Sequence, residues 1–174
     1  MSRSPRHPRQ PRRHTQLAIP PGFTLIEVMV VLSVLAIMAL IALPTFTDKM
    51  VRDQIAEALP LANIAKAPVE AAWRVSQPLP ADNAAAGLPA AEQIVNNVVS
   101  AVALQEGVIV ITFGNRAHSK LKGKTLSLRP AGVTTARVVP VTWLCGNAPP
   151  PVPMEAQGEN RTTVPVPLLP IRCR

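Results

Sequence analysis

The stretch FTLIEVMVVLSVLAIMALIAL, Phe23 to Leu43, decides how the rest of the chain is read. It is preceded by Pro21-Gly22 and closed by Pro44, and its 21 residues are apolar except for Thr24, Glu27 and Ser33. As a helix it would span roughly 31 Å, about the thickness of a bilayer's hydrocarbon core. Glu27 sits inside the apolar run with no basic residue near it in sequence. A carboxylate there costs on the order of 2.5–3.5 kcal/mol on insertion scales, so its partner is a functional question by default.

Gly22 followed by Phe23-Thr24-Leu25-Ile26-Glu27 and an apolar helix resembles the class III signal of type IV pilins and their pseudopilin relatives. The resemblance implies that a prepilin peptidase cuts between Gly22 and Phe23 and that Phe23 becomes the N-methylated terminus. It also implies that Glu27 meets the terminal amine of a neighbouring subunit during filament assembly. The physics agrees, because an ammonium at Phe23 and the Glu27 carboxylate of a staggered copy can neutralise each other in lipid. An ordinary secretory signal fits less well: the run is too long and no A-x-A site follows it. A plain anchor gives no reason for Glu27.

Met1–Gly22 carries Arg3, Arg6, Arg9, Arg12 and Arg13, no acid and five prolines. By the positive-inside rule it reads as a cytoplasmic basic leader, removed on processing, with the rest of the chain exported. Taking these 22 residues from 174 leaves 152, and taking their +5 from the total of +8 leaves +3. The exported part is only mildly cationic and large enough for one small domain.

Residues 23–44 read as a transmembrane and assembly half-helix and 45–77 as an amphipathic half-helix. Val51, Ile55, Leu59 and Ala62 recur at spacings of four, four and three, as one helical face would. Helix is expected from Thr24 to about Val75, with kinks near Pro44, Pro60 and Pro68. Residues 78–96 form a proline- and alanine-rich connection with a short helix at Ala90–Ile94, similar to the αβ loop of type IVa pilins. The period then changes to two over 97–144. Strands are expected at Val98–Gln105 and Gly107–Phe113, joined through Glu106-Gly107, then at Thr125–Arg129 and at Ala136–Leu144, notched by Pro140. The fold class is α+β, a long N-terminal helix packed on a four-stranded antiparallel sheet. The words GVIVITFGN, GKTLSL and W-L-C-G are similar to those of type IVa pilins, which extends the resemblance to the last cysteine.

Cys145 and Cys173 lie in the part expected outside the cytoplasm, where disulfides persist, and two cysteines allow one connectivity. The segment they bound, within 145–174, holds seven prolines and favours irregular chain. It resembles the D-region of type IV pilins, a disulfide-closed loop at the filament surface.

No acidic side chain occurs between Gly107 and Met154, where Arg116, Lys120, Lys122, Lys124, Arg129 and Arg137 contribute +6. Arg116, Lys120, Lys122 and Lys124 are a candidate patch for DNA phosphates, host-surface glycans or anionic lipids. The alternative is a solvated face whose charge is matched by acids elsewhere in a filament. With no Tyr in the chain, base stacking has little support. Asp53 and Glu57 form an i,i+4 acidic pair facing water or a neighbouring subunit. Three histidines and two cysteines make no metal-ligand spacing, and no phosphate loop, H-E-x-x-H or G-x-S-x-G supports an enzyme or a cofactor.

The resemblance implies a structural subunit of a type IVa pilus, held in the inner membrane as a single-pass protein with a periplasmic domain, then extracted into an extracellular homopolymer. The implied partners are the prepilin peptidase, an assembly platform, an ATPase and a secretin. Adhesion, twitching motility, biofilm formation or DNA uptake would follow. The alternatives are a type II secretion pseudopilin and a membrane-anchored binding domain that never polymerises.

Overall fold

The computed structural model describes residues 22–174, so the leader reading, Met1–Pro21, lies outside the described residues. The chain divides into two units at Ile41/Ala42. Helix α1, Leu25–Ala58, runs through position 44 as helix and gives way to a 3₁₀ turn, Leu59–Ala62. Helix α2, Asn63–Arg74, completes the expected helical span. The turn falls at Pro60, which has no N–H to give to the α-helical ladder. Pro68 is tolerated inside α2.

In the N-terminal unit α1 buries none of its side chains against another element among the described residues. Its large side chains from Leu25 to Ile41 are all exposed. In the C-terminal unit the helices bury Val51, Ile55, Ala58, Ala62, Ala65, Val69 and Trp73, at spacings of three and four. Ala58 takes the position expected for Leu59, which is only half-buried. Three alanines in the stripe let the helical backbone approach the sheet closely.

The sheet runs β1 (Val99–Gln105), β2 (Val108–Phe113), β3 (Thr125–Gly132) and β4 (Thr142–Cys145), in that spatial order and antiparallel throughout. Glu106 and Gly107 join β1 to β2 with φ of 51° and 82°. Positive φ at both positions gives the two-residue loop whose twist matches a hairpin. Leu104, Ile109, Ile111, Leu126 and Leu128 face the helical stripe in one continuous core.

Two expectations are corrected. The fourth strand is short, because residues 133–141 are turns rather than the start of a strand at Ala136. Ala136 N–H donates to Val133 O (3.1 Å), Val139 N–H donates to Ala136 O (3.0 Å), and Val138 is 86% exposed. Pro140 cannot donate to a ladder, and the adjacent Val138 and Val139 break the two-residue period. The C-terminal segment also adds a two-residue strand, β5 (Glu155–Ala156), which pairs with the end of β3.

The connection before β1 seals that edge strand. Asn83, buried, accepts from Leu104 N–H (2.6 Å) and donates through Nδ2 to Val102 O (3.0 Å) and Pro89 O (2.9 Å). One amide side chain thus supplies the donor and acceptor a neighbouring strand would have offered. Glu106 and Gly107 N–H are taken by Ala81 O and Pro80 O. Its short helix is a 3₁₀ turn, Ala91–Gln93.

The start of β3 is covered by the C-terminal segment. Ser127, fully buried, donates its N–H to Thr162 Oγ1 (3.1 Å), and its hydroxyl meets Asn160 Oδ1 (2.7 Å). Thr125 N–H donates to Thr163 Oγ1 (2.8 Å). Here too side-chain oxygens replace a strand that a proline-rich chain cannot form. A disulfide joins Cys145 and Cys173, and Val164, Leu168 and Leu169 are driven into the core.

Candidate functional site

Thr24 starts α1 as its N-cap: its Oγ1 accepts from Glu27 N–H (3.2 Å). Thr24-Leu25-Ile26-Glu27 is a T-x-x-E capping-box spacing, a helix-start signal legible in the sequence itself. The cap fixes where the helix begins and sets Phe23 and Glu27 on one side of it. With Val28, Val31 and Leu32 they line a shallow hollow of about 200 Å³. Ser33 turns its hydroxyl back onto Met29 O (2.7 Å), so it offers little polarity to its surroundings. Among the described residues no cation pairs with Glu27.

Fourteen large apolar side chains between Phe23 and Ile41 are 45–84% exposed. At about 1.5–3 kcal/mol for each fully buried side chain, leaving this surface in water forfeits on the order of 10–20 kcal/mol. That is comparable to the whole net stability of a domain, about 5–15 kcal/mol. The segment therefore needs lipid or other apolar helices around it. Its length and mean hydropathy of 2.8 over the most apolar window fit a membrane span.

The basic residues are not one patch. Lys120 Nζ lies 2.9 Å from Asp48 Oδ1 on α1, half-exposed. The Lys120 hydrogen bond holds the Asp48 carboxyl below the usual carboxylate range, against the opposing effect of desolvation and with help from the charges of Lys120 and Arg52. Arg137 stacks 4.8 Å from the centre of the Trp73 ring, and half-buried Arg129 reaches Gly146 O at 3.4 Å. Arg116, Lys122 and Lys124 remain, all exposed on the connection between β2 and β3. That connection is pinned by Leu121, fully buried, and by His118 N–H donating to Gln54 Oε1 on α1 (2.8 Å). Among the described residues no cluster of His, Cys, Asp and Glu is arranged to hold a metal.

Sequence reasoning missed Asn83 and Ser127, whose roles depend on partners about twenty to thirty-five residues away. No local pattern marks them.

A family profile described as pilin, bacterial filament, matches residues 51–174, and one described as the prokaryotic N-terminal methylation motif matches residues 21–43. The chain is 38% identical to the fimbrial protein EcpC of Eikenella corrodens over 129 residues, 72% of this chain and 82% of that one. It is 34% identical to a fimbrial protein of Neisseria meningitidis over 126 residues, 72% of each. Against the type IV major pilin protein PilE of Neisseria gonorrhoeae the identity is 32% over 142 residues, 81% of each. With the capped apolar helix, the helix-on-sheet domain and the disulfide-closed C-terminal segment, these matches establish that the chain belongs to the type IV pilin family, as a structural pilin subunit.

Proposed function

We propose that a prepilin peptidase cuts the chain between Gly22 and Phe23, that Phe23 becomes the N-methylated terminus, and that the mature subunit polymerises into a type IV pilus. Before assembly, residues 23–44 hold it in the inner membrane with residues 45–174 on the far side. During assembly the Phe23 amine of one copy pairs with Glu27 of the next, and Pro44 is where the helix bends. The assembly platform, ATPase and secretin are the partners this reading requires, and adhesion, twitching motility or DNA uptake are its downstream roles.

The observation that carries the reading is Glu27, without an ion-pair partner among the described residues, within an exposed apolar helix. An anchor alone gains nothing from a carboxylate in lipid, whereas a stacking subunit gains a specific partner.

Glu27→Ala tests the assembly role. Removing a charge from lipid eases insertion, so the variant should reach the membrane at normal levels while sheared fibres are lost. Fibres of normal abundance from that variant would refute the role. Mass spectrometry of the cell-extracted chain should show methylated Phe23 at its start, and an intact Met1 would overturn the processing.

A further inference from the structure

Asp53 and Glu57 are exposed on α1 and have no ion-pair partner among the described residues. At 100° per residue they fall about 200° and 240° round from Val51, on the face opposite the buried stripe. Like charges four residues apart on a helix repel each other, so this pair weakens the isolated subunit slightly. The same subunit exposes Arg116, Lys122 and Lys124, also without an acidic partner, from a stretch of sequence devoid of acids. Within one copy the connection is tied to α1 through Asp48 and Gln54, which fall about 60° and 300° round from Val51, on the two flanks of the buried stripe, while the acids lie on the far face between them.

We propose that the β2–β3 connection of one copy docks on the acidic outer face of α1 in the next copy, and that this contact sets the step between copies. The two patches are different surfaces of one chain, so the contact is heterologous and builds an open filament rather than a closed dimer. The register supports it. Residues 118 and 120 are held level with positions 54 and 48 of their own helix. A copy advanced by four residues, about 6 Å, carries those levels to 58 and 52 of its neighbour, either side of Asp53 and Glu57. Lys120 takes no part, being held by Asp48 of its own copy.

The inference rests on the filament reading above, and the test keeps the two apart. In cells making the full-length protein, Asp53→Lys with Glu57→Lys should cut sheared fibre yield about tenfold, as should Lys122→Glu with Lys124→Glu, because like charges then face each other. The membrane-bound pool should stay normal, and combining all four changes should restore fibres. Glu57→Cys with Lys122→Cys should give an oxidised ladder of oligomers, since both native cysteines are in the disulfide. Reversed pairs that assemble normally would overturn the contact. So would unrestored fibres in the fourfold variant together with no ladder from the cysteine pair. A wild-type chain that forms no fibres would instead overturn the filament reading itself.

Discussion

Replacing Asn83 by Ala removes three hydrogen bonds from the edge of the sheet. Two of the groups it serves, Leu104 N–H and Val102 O, belong to β1 and lose the partner that stood in for a strand. Each bond contributes about 1 kcal/mol net, and a buried group left unpaired costs about 1–3 kcal/mol. Partial access of water to the opened edge limits the sum to about 3–4 kcal/mol. The assay is urea unfolding of the full-length protein in detergent, followed by tryptophan emission. Both tryptophans, Trp73 and Trp143, lie on the sheet–helix domain and report it. Asn83→Asp is the informative comparison: it keeps an acceptor for Leu104 but turns an oxygen towards two carbonyls, so it should lose at least as much. Amide exchange at Leu104 should accelerate in both variants. A loss below about 1 kcal/mol in Asn83→Ala with Leu104 still protected would show that Asn83 decorates the edge rather than closing it.

Gly132→Ala should destabilise the domain by about 1–3 kcal/mol through overpacking, since a Cβ there would collide with Cζ2 of the buried Trp73. A shifted tryptophan emission in the folded state with a lower urea midpoint is the expected reading. Reducing or replacing the Cys145–Cys173 disulfide opens a loop with a sequence separation of 28, worth about 3.6 kcal/mol in the chain-entropy model. Thermal unfolding with and without reductant checks it, and an unchanged midpoint would contradict that account.

Much of this molecule is legible because its signals are local. The run from Phe23 to Leu43, the spacing of Val51, Ile55 and Ala62, and the Glu106-Gly107 turn each state their structure within a few residues. The misreadings came where distant chain decides. Ala136–Val141 is apolar enough for a strand, yet β3 offers β4 only four pairing positions, Leu128 to Ala131, and the preceding residues turn away. Leu59 sits about 80° round from Val51, whereas Ala58, seven residues on, comes back to within about 20° of it and takes the buried place. The basic run from Arg116 to Arg137 looks like one surface in sequence, but Asp48, Trp73 and Gly146 each claim one of its members. Glu27 was the easiest residue to single out, because a charge among hydrocarbon side chains needs no context to look out of place.

The amide that closes β1 has a consequence for how this subunit can multiply. Copies waiting side by side in a membrane reach high local concentration, and an open strand there would recruit another by cross-β addition, a fast and irreversible route to tangles. Asn83 occupies that docking slot within each copy, while the opposite border, β4, is only four residues long. Among the described residues the large apolar surface left uncovered is the helical rod from Phe23 to Ile41, which carries no open strand. Association through added strands is thereby closed off at the β1 border of the sheet.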